Sequence, residues 1–118
     1  MKYLCLIYDD EARWGRMSKE EATVGYGKYF TFAESIKSSG HHLNGHPLRP
    51  TSTATTVRVR NDTVSATDGP FAETKEQLGG YFLVEARDIA EAVAIAERIP
   101  VGDGGAVEVR PILAMPVP

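Results

Sequence analysis

The chain of 118 residues contains one cysteine, no long apolar run and no excess of basic residues. Because Cys5 has no second cysteine to pair with, an intrachain disulfide framework is excluded and a reducing compartment is expected. The first apolar run stops at Asp9 and Asp10, so it is too short for a membrane span or a secretory signal. We therefore expect a cytoplasmic protein that makes no membrane contact.

The charge pattern argues against nucleic-acid binding. Thirteen Lys and Arg residues face sixteen Asp and Glu residues, for a formal charge of −3, and neither sign forms a block. A protein that binds phosphate backbones normally carries a basic stripe. The chain also lacks a Walker loop, a dinucleotide-binding glycine motif and a serine nucleophile motif, and "GDGG" at 102–105 follows a predicted helix as a turn. No cofactor is expected.

What the chain does contain is the order β, α, a β group with a hairpin, β, α, β, within one domain over 1–118. The first strand, "KYLCLIYDD", is apolar on both sides, and so is "GYFLVEA". Between them, "HHLNGHPLRP" predicts a short strand or extended edge, "TATTVRVR" and "TVSAT" predict a hairpin, and "AVEVRPI" predicts the final strand.

Two amphipathic helices are predicted. Ser18 and Glu21 have the spacing of a capping box, and Gly40 is placed to end the first helix. Asp88 is the expected N-cap of the second helix, which Pro100 ends. The expected buried face of the first helix comprises Tyr26, Tyr29, Phe30, Ala33 and Ile36, and that of the second comprises Ile89, Ala92, Val93, Ala96 and Ile99.

This order predicts a ferredoxin-like α+β sandwich, an antiparallel sheet with two helices on one face. Two helices cover one sheet face, yet two strands are apolar on both sides. A large exposed apolar face is typical of an interaction site. The simplest cover is a second copy of the same sheet, so the pattern predicts a homodimer joined through the open sheet face.

The segment "TDGP" allows two interpretations of Asp68. An aspartate before Gly-Pro is ordinary turn chemistry, because its side chain can bond nearby backbone N–H groups. Alternatively, Asp68 is a catalytic acid or base at the mouth of a pocket, where Phe71 supplies an apolar wall. The sequence leaves both interpretations open.

Other polar side chains are candidates on weaker grounds. On a strand, His42 and His46 share one face, so either is a candidate acid–base partner for Asp68, while surface histidines are the plain alternative. Metal binding is not expected, since no local Cys or acid completes a ligand set. Arg58 is a candidate anion anchor, with a salt bridge as its alternative, and Tyr81 is a candidate ligand contact or a core aromatic.

The segment "VSATDGPFAETKEQLGGYFLVEA", together with the later "VEVRPI", resembles the DGPF subgroup of the YCII-related proteins, from "YLCLIY" to "RPI". The resemblance implies a dimeric α/β barrel built from ferredoxin-like protomers, and Asp68 matches the acid of a proposed His–Asp pair. The family's histidine lies early in the first helix, where this sequence has "GYGKYF". The subgroup also resembles products encoded beside extracytoplasmic-function sigma factors.

Two functions follow as hypotheses. The first is a small homodimeric enzyme performing cofactor-independent acid/base chemistry on a small, partly apolar molecule, anionic if Arg58 binds it. The second is a non-catalytic dimer that senses a ligand or binds a partner such as a sigma factor. The sequence does not decide whether the protein is an enzyme.

Overall fold

A four-stranded antiparallel sheet in the order β2-β5-β1-β6 carries the fold in the computed structural model, which describes residues 1–117. The elements are β1 (Lys2–Asp9), α1 (Glu11–Gly15), α2 (Lys19–Ser38), β2 (His42–Pro47), β3 (Thr55–Arg60), β4 (Thr63–Asp68), β5 (Gln77–Glu85), α3 (Ile89–Ala96) and β6 (Ala106–Pro111). The predicted ferredoxin-like α+β fold is confirmed, with β3 and β4 as a separate two-stranded hairpin.

The core lies between one face of the sheet and the helices α2 and α3. Alternate residues of β1 and β5 are buried there, as expected for strands whose side chains point to opposite faces. The cluster comprises Tyr3, Cys5, Ile7, Phe82 and Val84 from the strands and Phe32, Ile36, Ala92, Ile95, Ala96 and Ile99 from the helical side. Cys5 is part of this core, and burial raises the pKa of its thiol to about 11. The thiol is therefore a poor nucleophile.

Both predicted helix starts are confirmed. Ser18 accepts a hydrogen bond from the backbone N–H of Glu21, whose carboxylate accepts one from the N–H of Ser18. Asp88 accepts from the N–H of Glu91 in the same way. Gly40 follows α2 with φ +81°, a left-handed conformation that favours glycine.

The predicted buried face of α2 is confirmed in part: Ile36 is buried, and Tyr29 and Ala33 pack against the core. Tyr26 and Phe30 are 62% and 68% exposed, whereas Phe32 is buried and contacts Phe82 edge-to-face at 5.1 Å between ring centres. Apolar residues occur all around this helix, so spacing alone did not distinguish Phe32 from Tyr26 and Phe30. In the second predicted helix, Ala92, Ala96 and Ile99 are buried as predicted, whereas Ile89 and Val93 are exposed and Ile95 is buried instead.

The presence of glycine at position 45 in β2 has a steric explanation. A Cβ atom on Gly45 would lie 2.5 Å from a ring carbon of Phe82, so the edge strand approaches β5 closely only without a side chain there. Within residues 1–117, no helix is both long and apolar enough to cross a membrane.

Candidate functional site

The open face, the side of the sheet that α2 and α3 leave uncovered, carries two of the predicted site residues. Its central strands contribute Leu4 and Leu6 from β1 and Leu83 from β5, all half-buried. His46 and Tyr81 are direct cross-strand partners, and their ring centres lie 6.0 Å apart. Directly opposed residues share a face, so the imidazole and the phenol stand together on the open face, the imidazole largely exposed.

His42 does not join them, and the expectation that His42 and His46 share a face is wrong. The register of β2 against β5 shifts between His42 and Asn44, which inserts one extra residue and turns the strand over. His42 is therefore opposite Val84 on the helix side, with its ring centre 6.3 Å from that of Phe82.

His41 has local partners of its own. Its Nδ1 lies 2.7 Å from the Ser39 hydroxyl, and its Nε2 lies 3.4 Å from a carboxylate oxygen of Glu91. The three neighbouring histidines thus point into three different environments. Among residues 1–117, no group of three or more His, Cys, Asp or Glu side chains is arranged to hold a metal ion.

Asp68 is an exposed carboxylate at the end of β4. Gly69, with φ +110°, shapes the turn: its N–H donates to the Ala54 carbonyl at 2.8 Å, and its carbonyl accepts from the Thr56 hydroxyl at 2.7 Å. Within residues 1–117 the Asp68 side chain makes no hydrogen bond or ion pair. The backbone and Thr56 therefore hold the turn, and the carboxylate is left free.

Arg58 and Phe71 do not converge on Asp68 in the protomer. Thr55 is opposite Asp68, and Arg58 lies three residues further along β3, so it projects from the other face of the hairpin. Phe71 is 80% exposed and encloses nothing. Within residues 1–117 Arg58 also forms no salt bridge, which was the alternative to an anion anchor.

A buried polar cluster at the end of β1 is the arrangement that the sequence analysis missed. Asp9 is 7% exposed, and its Oδ2 accepts from Nη2 of Arg13 at 2.6 Å and from Nε1 of Trp14 at 3.3 Å. Its Oδ1 accepts from the N–H of Asp10 at 2.8 Å. Burial alone would raise the pKa of Asp9, but these hydrogen bonds and the charge of Arg13 outweigh it and hold the pKa below 3.8.

The phenol of Tyr29, near this cluster, is less acidic than usual. Burial, and secondly the charge of Asp9, raise the pKa of Tyr29 to about 12. Because both Asp9 oxygens already accept hydrogen bonds, this carboxylate stays ionised and serves to position Arg13 and Trp14. An open cleft of about 600 Å³ lies outside it, lined by Arg13, Trp14, Met17, Val24, Lys28 and Val101 among others.

A signal for this cluster exists in the sequence. Asp9 continues the alternation of Tyr3, Cys5 and Ile7 and therefore belongs to the buried face, although we interpreted it as the end of the strand. Arg13 follows four residues later in α1, and its guanidinium reaches back to the Asp9 carboxylate at the end of β1.

Comparison with known proteins identifies the class. The model of the YCII-related domain matches residues 1–116. A protein of Rhizobium meliloti (strain 1021), itself uncharacterised, is 33% identical over 114 residues, which cover 95% of this chain and 92% of the relative. The chain therefore belongs to the YCII-related family.

Proposed function

We propose that the protein acts as a homodimer whose two open sheet faces meet and enclose a small-molecule site containing His46 and Tyr81. The observation that carries this proposal is the open face itself. Leu4, Leu6 and Leu83 lie on the side of the sheet that has no helix over it. Covering such a face with a second sheet is the usual way to remove it from water.

The total surface of the protomer supports the same proposal. The chain exposes 8420 Å², whereas a compact monomer of this mass would expose about 6,300 Å². The excess of about 2,100 Å² falls within the roughly 1,000–2,500 Å² per protomer that obligate dimers bury. The radius of gyration, 16.3 Å, likewise exceeds the roughly 13.5 Å expected for this chain length.

The chemistry proposed for this site is cofactor-independent acid/base catalysis on a small, partly apolar molecule. Asp68 serves as acid or base because its carboxylate is free of other partners, and His46 is the second titratable group, beside Tyr81. Phe71, exposed in the protomer, becomes an apolar wall once the site is enclosed. His42 and Arg58 project from other faces, so they have no role in this proposal and an anionic group on the ligand is not required.

The proposed chemistry can be tested without knowledge of the natural substrate. Small keto acids, lactones and unsaturated carboxylic acids are incubated with the protein in D₂O, and proton exchange next to the carbonyl is followed by NMR. We expect exchange with at least one compound, reduced roughly 10²–10⁴-fold in Asp68→Asn. Asp62→Asn, at the tip of the same hairpin, is the matched control and keeps the wild-type rate. Undiminished exchange in a dimeric Asp68→Asn protein would exclude Asp68 as the catalyst.

One observation favours a second candidate function, a non-catalytic dimer that senses a ligand or binds a partner. In residues 1–117, Asp68 is not hydrogen-bonded to any histidine, so the protomer contains no ready acid–base pair. Regulation through an extracytoplasmic-function sigma factor is the partner-binding form of this candidate. It predicts no exchange in the NMR assay together with a ligand or sigma factor that co-purifies; a native mass spectrum and a pull-down that are both empty would contradict it.

A further inference from the structure

We propose that the hairpin Thr55–Asp68, termed the arm, docks through its valine-bearing face on a second copy of the chain. This inference rests on the homodimer proposed above, and adds which element reaches across and which side chain it brings. The arm is a two-stranded sheet that does not join the main sheet. A hairpin of two strands is at best marginally stable in water without a surface to pack against.

The two faces of the arm differ in character. Val57 is paired with Ala66 and Val59 with Val64, so these four side chains share one face. The other face carries Thr56, Arg58, Arg60, Thr63, Ser65 and Thr67. The arm is therefore apolar on one side and polar on the other, which is the pattern of a sheet with one buried face.

That apolar face is uncovered in the protomer. Val57, Val59 and Val64 are 63%, 69% and 67% exposed, and nearly every residue of both strands is exposed. Single exposed apolar residues are ordinary, but three valines side by side on a regular strand pair form a patch that association would bury.

The segment that leads from β2 into the arm is fixed to the folded core. The N–H and the hydroxyl of Thr51 both donate to the carboxylate of Glu11, at 2.7 and 2.8 Å. The N–H of Leu48 donates to the carbonyl of Gly79 at 2.8 Å. The connection from β2 into the arm is thus tied to the folded core on the side where the arm begins.

The position of the arm indicates a second copy as the occupant. The arm follows β2 and leads back to β5 at Gln77, which is paired with Asp9 at the end of β1. It therefore leaves and rejoins one end of the main sheet, where the open face also ends. In the dimer proposed above, a protomer seated on that face would reach the end of the sheet from which the arm projects, and burial of the arm would account for part of the excess surface of about 2,100 Å².

The arm would also bring Asp68 to the interface. Asp68 is opposite Thr55 at the foot of the arm, on the same face as the valines. Docking then places this free carboxylate at the edge of the protomer contact, where the partner provides its surroundings. The site is in that case built from both protomers, and Asp68 works together with groups of the other copy.

The test compares a triple variant on the valine-bearing face of the arm with a double variant on its polar face. Val57→Thr/Val59→Thr/Val64→Thr keeps the β-branched side chains but puts hydroxyls on the docking face. Arg60→Gln/Thr63→Ser changes the polar face and is the matched control. We expect the triple variant to raise the dimer dissociation constant, measured by sedimentation velocity, by roughly tenfold or more, and the control to leave it unchanged.

Cross-linking provides a second test, which remains informative even if the triple variant unfolds its arm. Because Cys5 is fully buried, Val59→Cys provides a single reactive thiol for benzophenone maleimide. We expect irradiation to give a covalent dimer from Val59→Cys and much less from Arg60→Cys, on the polar face.

The outcomes separate this inference from the proposed function. A dimeric wild type whose dissociation constant is unchanged in the triple variant, with equal cross-linking from both thiols, overturns the docking of the arm and leaves the sheet-face dimer standing. A wild type that is monomeric at tens of micromolar overturns both.

Discussion

The Oδ2 atom of Asp9 accepts a hydrogen bond from Nη2 of Arg13 at 2.6 Å, and this pair closes the buried face of β1. The side chains are 10% and 27% exposed, so the pair is largely removed from water. The backbone N–H of Asp10 and the indole of Trp14 also donate to the carboxylate. The cluster joins β1 and α1, and its Trp14 ring lies 5.2 Å from the ring of Tyr26 in α2, measured between ring centres.

We predict that Asp9→Asn lowers the free energy of unfolding by about 3 kcal/mol, because it leaves the Arg13 guanidinium buried without its counter-charge. Urea unfolding followed by circular dichroism measures the loss. Asp10→Asn is the neighbouring control: Asp10 is the N-cap of α1, a position where asparagine serves equally well, so we expect a change within about 0.5 kcal/mol. Equal losses in both variants would contradict a specific role of the buried pair.

The stability of the protein should also depend on pH through Asp9. Its pKa in the folded state lies below its ordinary value of 3.8, so the unfolded chain takes up the proton first as the pH falls. The stabilisation is therefore fully present above the unfolded pKa and is lost as the pH drops through the lower folded pKa. Glu21 contributes with the same sign, since hydrogen bonding with Ser18 in the capping box lowers its pKa.

The matched measurement is urea unfolding of the wild type and of Asp9→Asn from about pH 6 down to about pH 3. We expect the difference in stability between the two proteins to shrink toward the acid end, because only the wild type loses the contribution of Asp9. A difference that stays constant over this range would show that the ionisation of Asp9 does not contribute.

Much of this fold was predictable because it is encoded locally. Alternation in β1 and β5, the capping residues Ser18 and Asp88, and the Gly40 stop are short-range patterns, and all were confirmed. The helix α1 was missed because five residues are too few to show a helical period. The face of α2 was predicted only in part, at Tyr29, Ala33 and Ile36, because the burial of Phe32 depends on its packing against β5.

The candidate site was less predictable for two physical reasons. The bulge between His42 and Asn44 reverses the strand faces without a clear sequence signature, so the partnership of His46 with Tyr81 depends on a register that only the structure gives. Asp68 and Phe71 are exposed in one protomer. Local sequence patterns do not predict which residues of a second chain would contact them.

Two glycines of α2 provide a matched pair of substitutions. Around Gly27 no atom lies within 4 Å of the position of an added Cβ, so Gly27→Ala should stabilise the protein by about 0.5–1 kcal/mol through helix propensity alone. A Cβ on Gly25 would lie 2.8 Å from Cη2 of Trp14, so Gly25→Ala must displace the indole and should gain less or lose stability.

Thermal unfolding and fluorescence separate these two substitutions. Trp14 is the one tryptophan of the chain, so its emission reports the cleft directly. We expect the emission maximum to shift in Gly25→Ala and to stay constant in Gly27→Ala. Equal melting temperatures and unshifted spectra in both variants would contradict the packing of Trp14 against α2.

The open sheet face is tested most directly by the mass of the protein in solution at tens of micromolar, measured by light scattering alongside Leu6→Glu, which places a charge at the centre of that face. We predict about 26 kDa for the wild type, twice the 12.9 kDa of one chain, and the mass of a single folded chain for the variant. A wild type of 12.9 kDa at that concentration would contradict the dimer and, with it, the enclosed site.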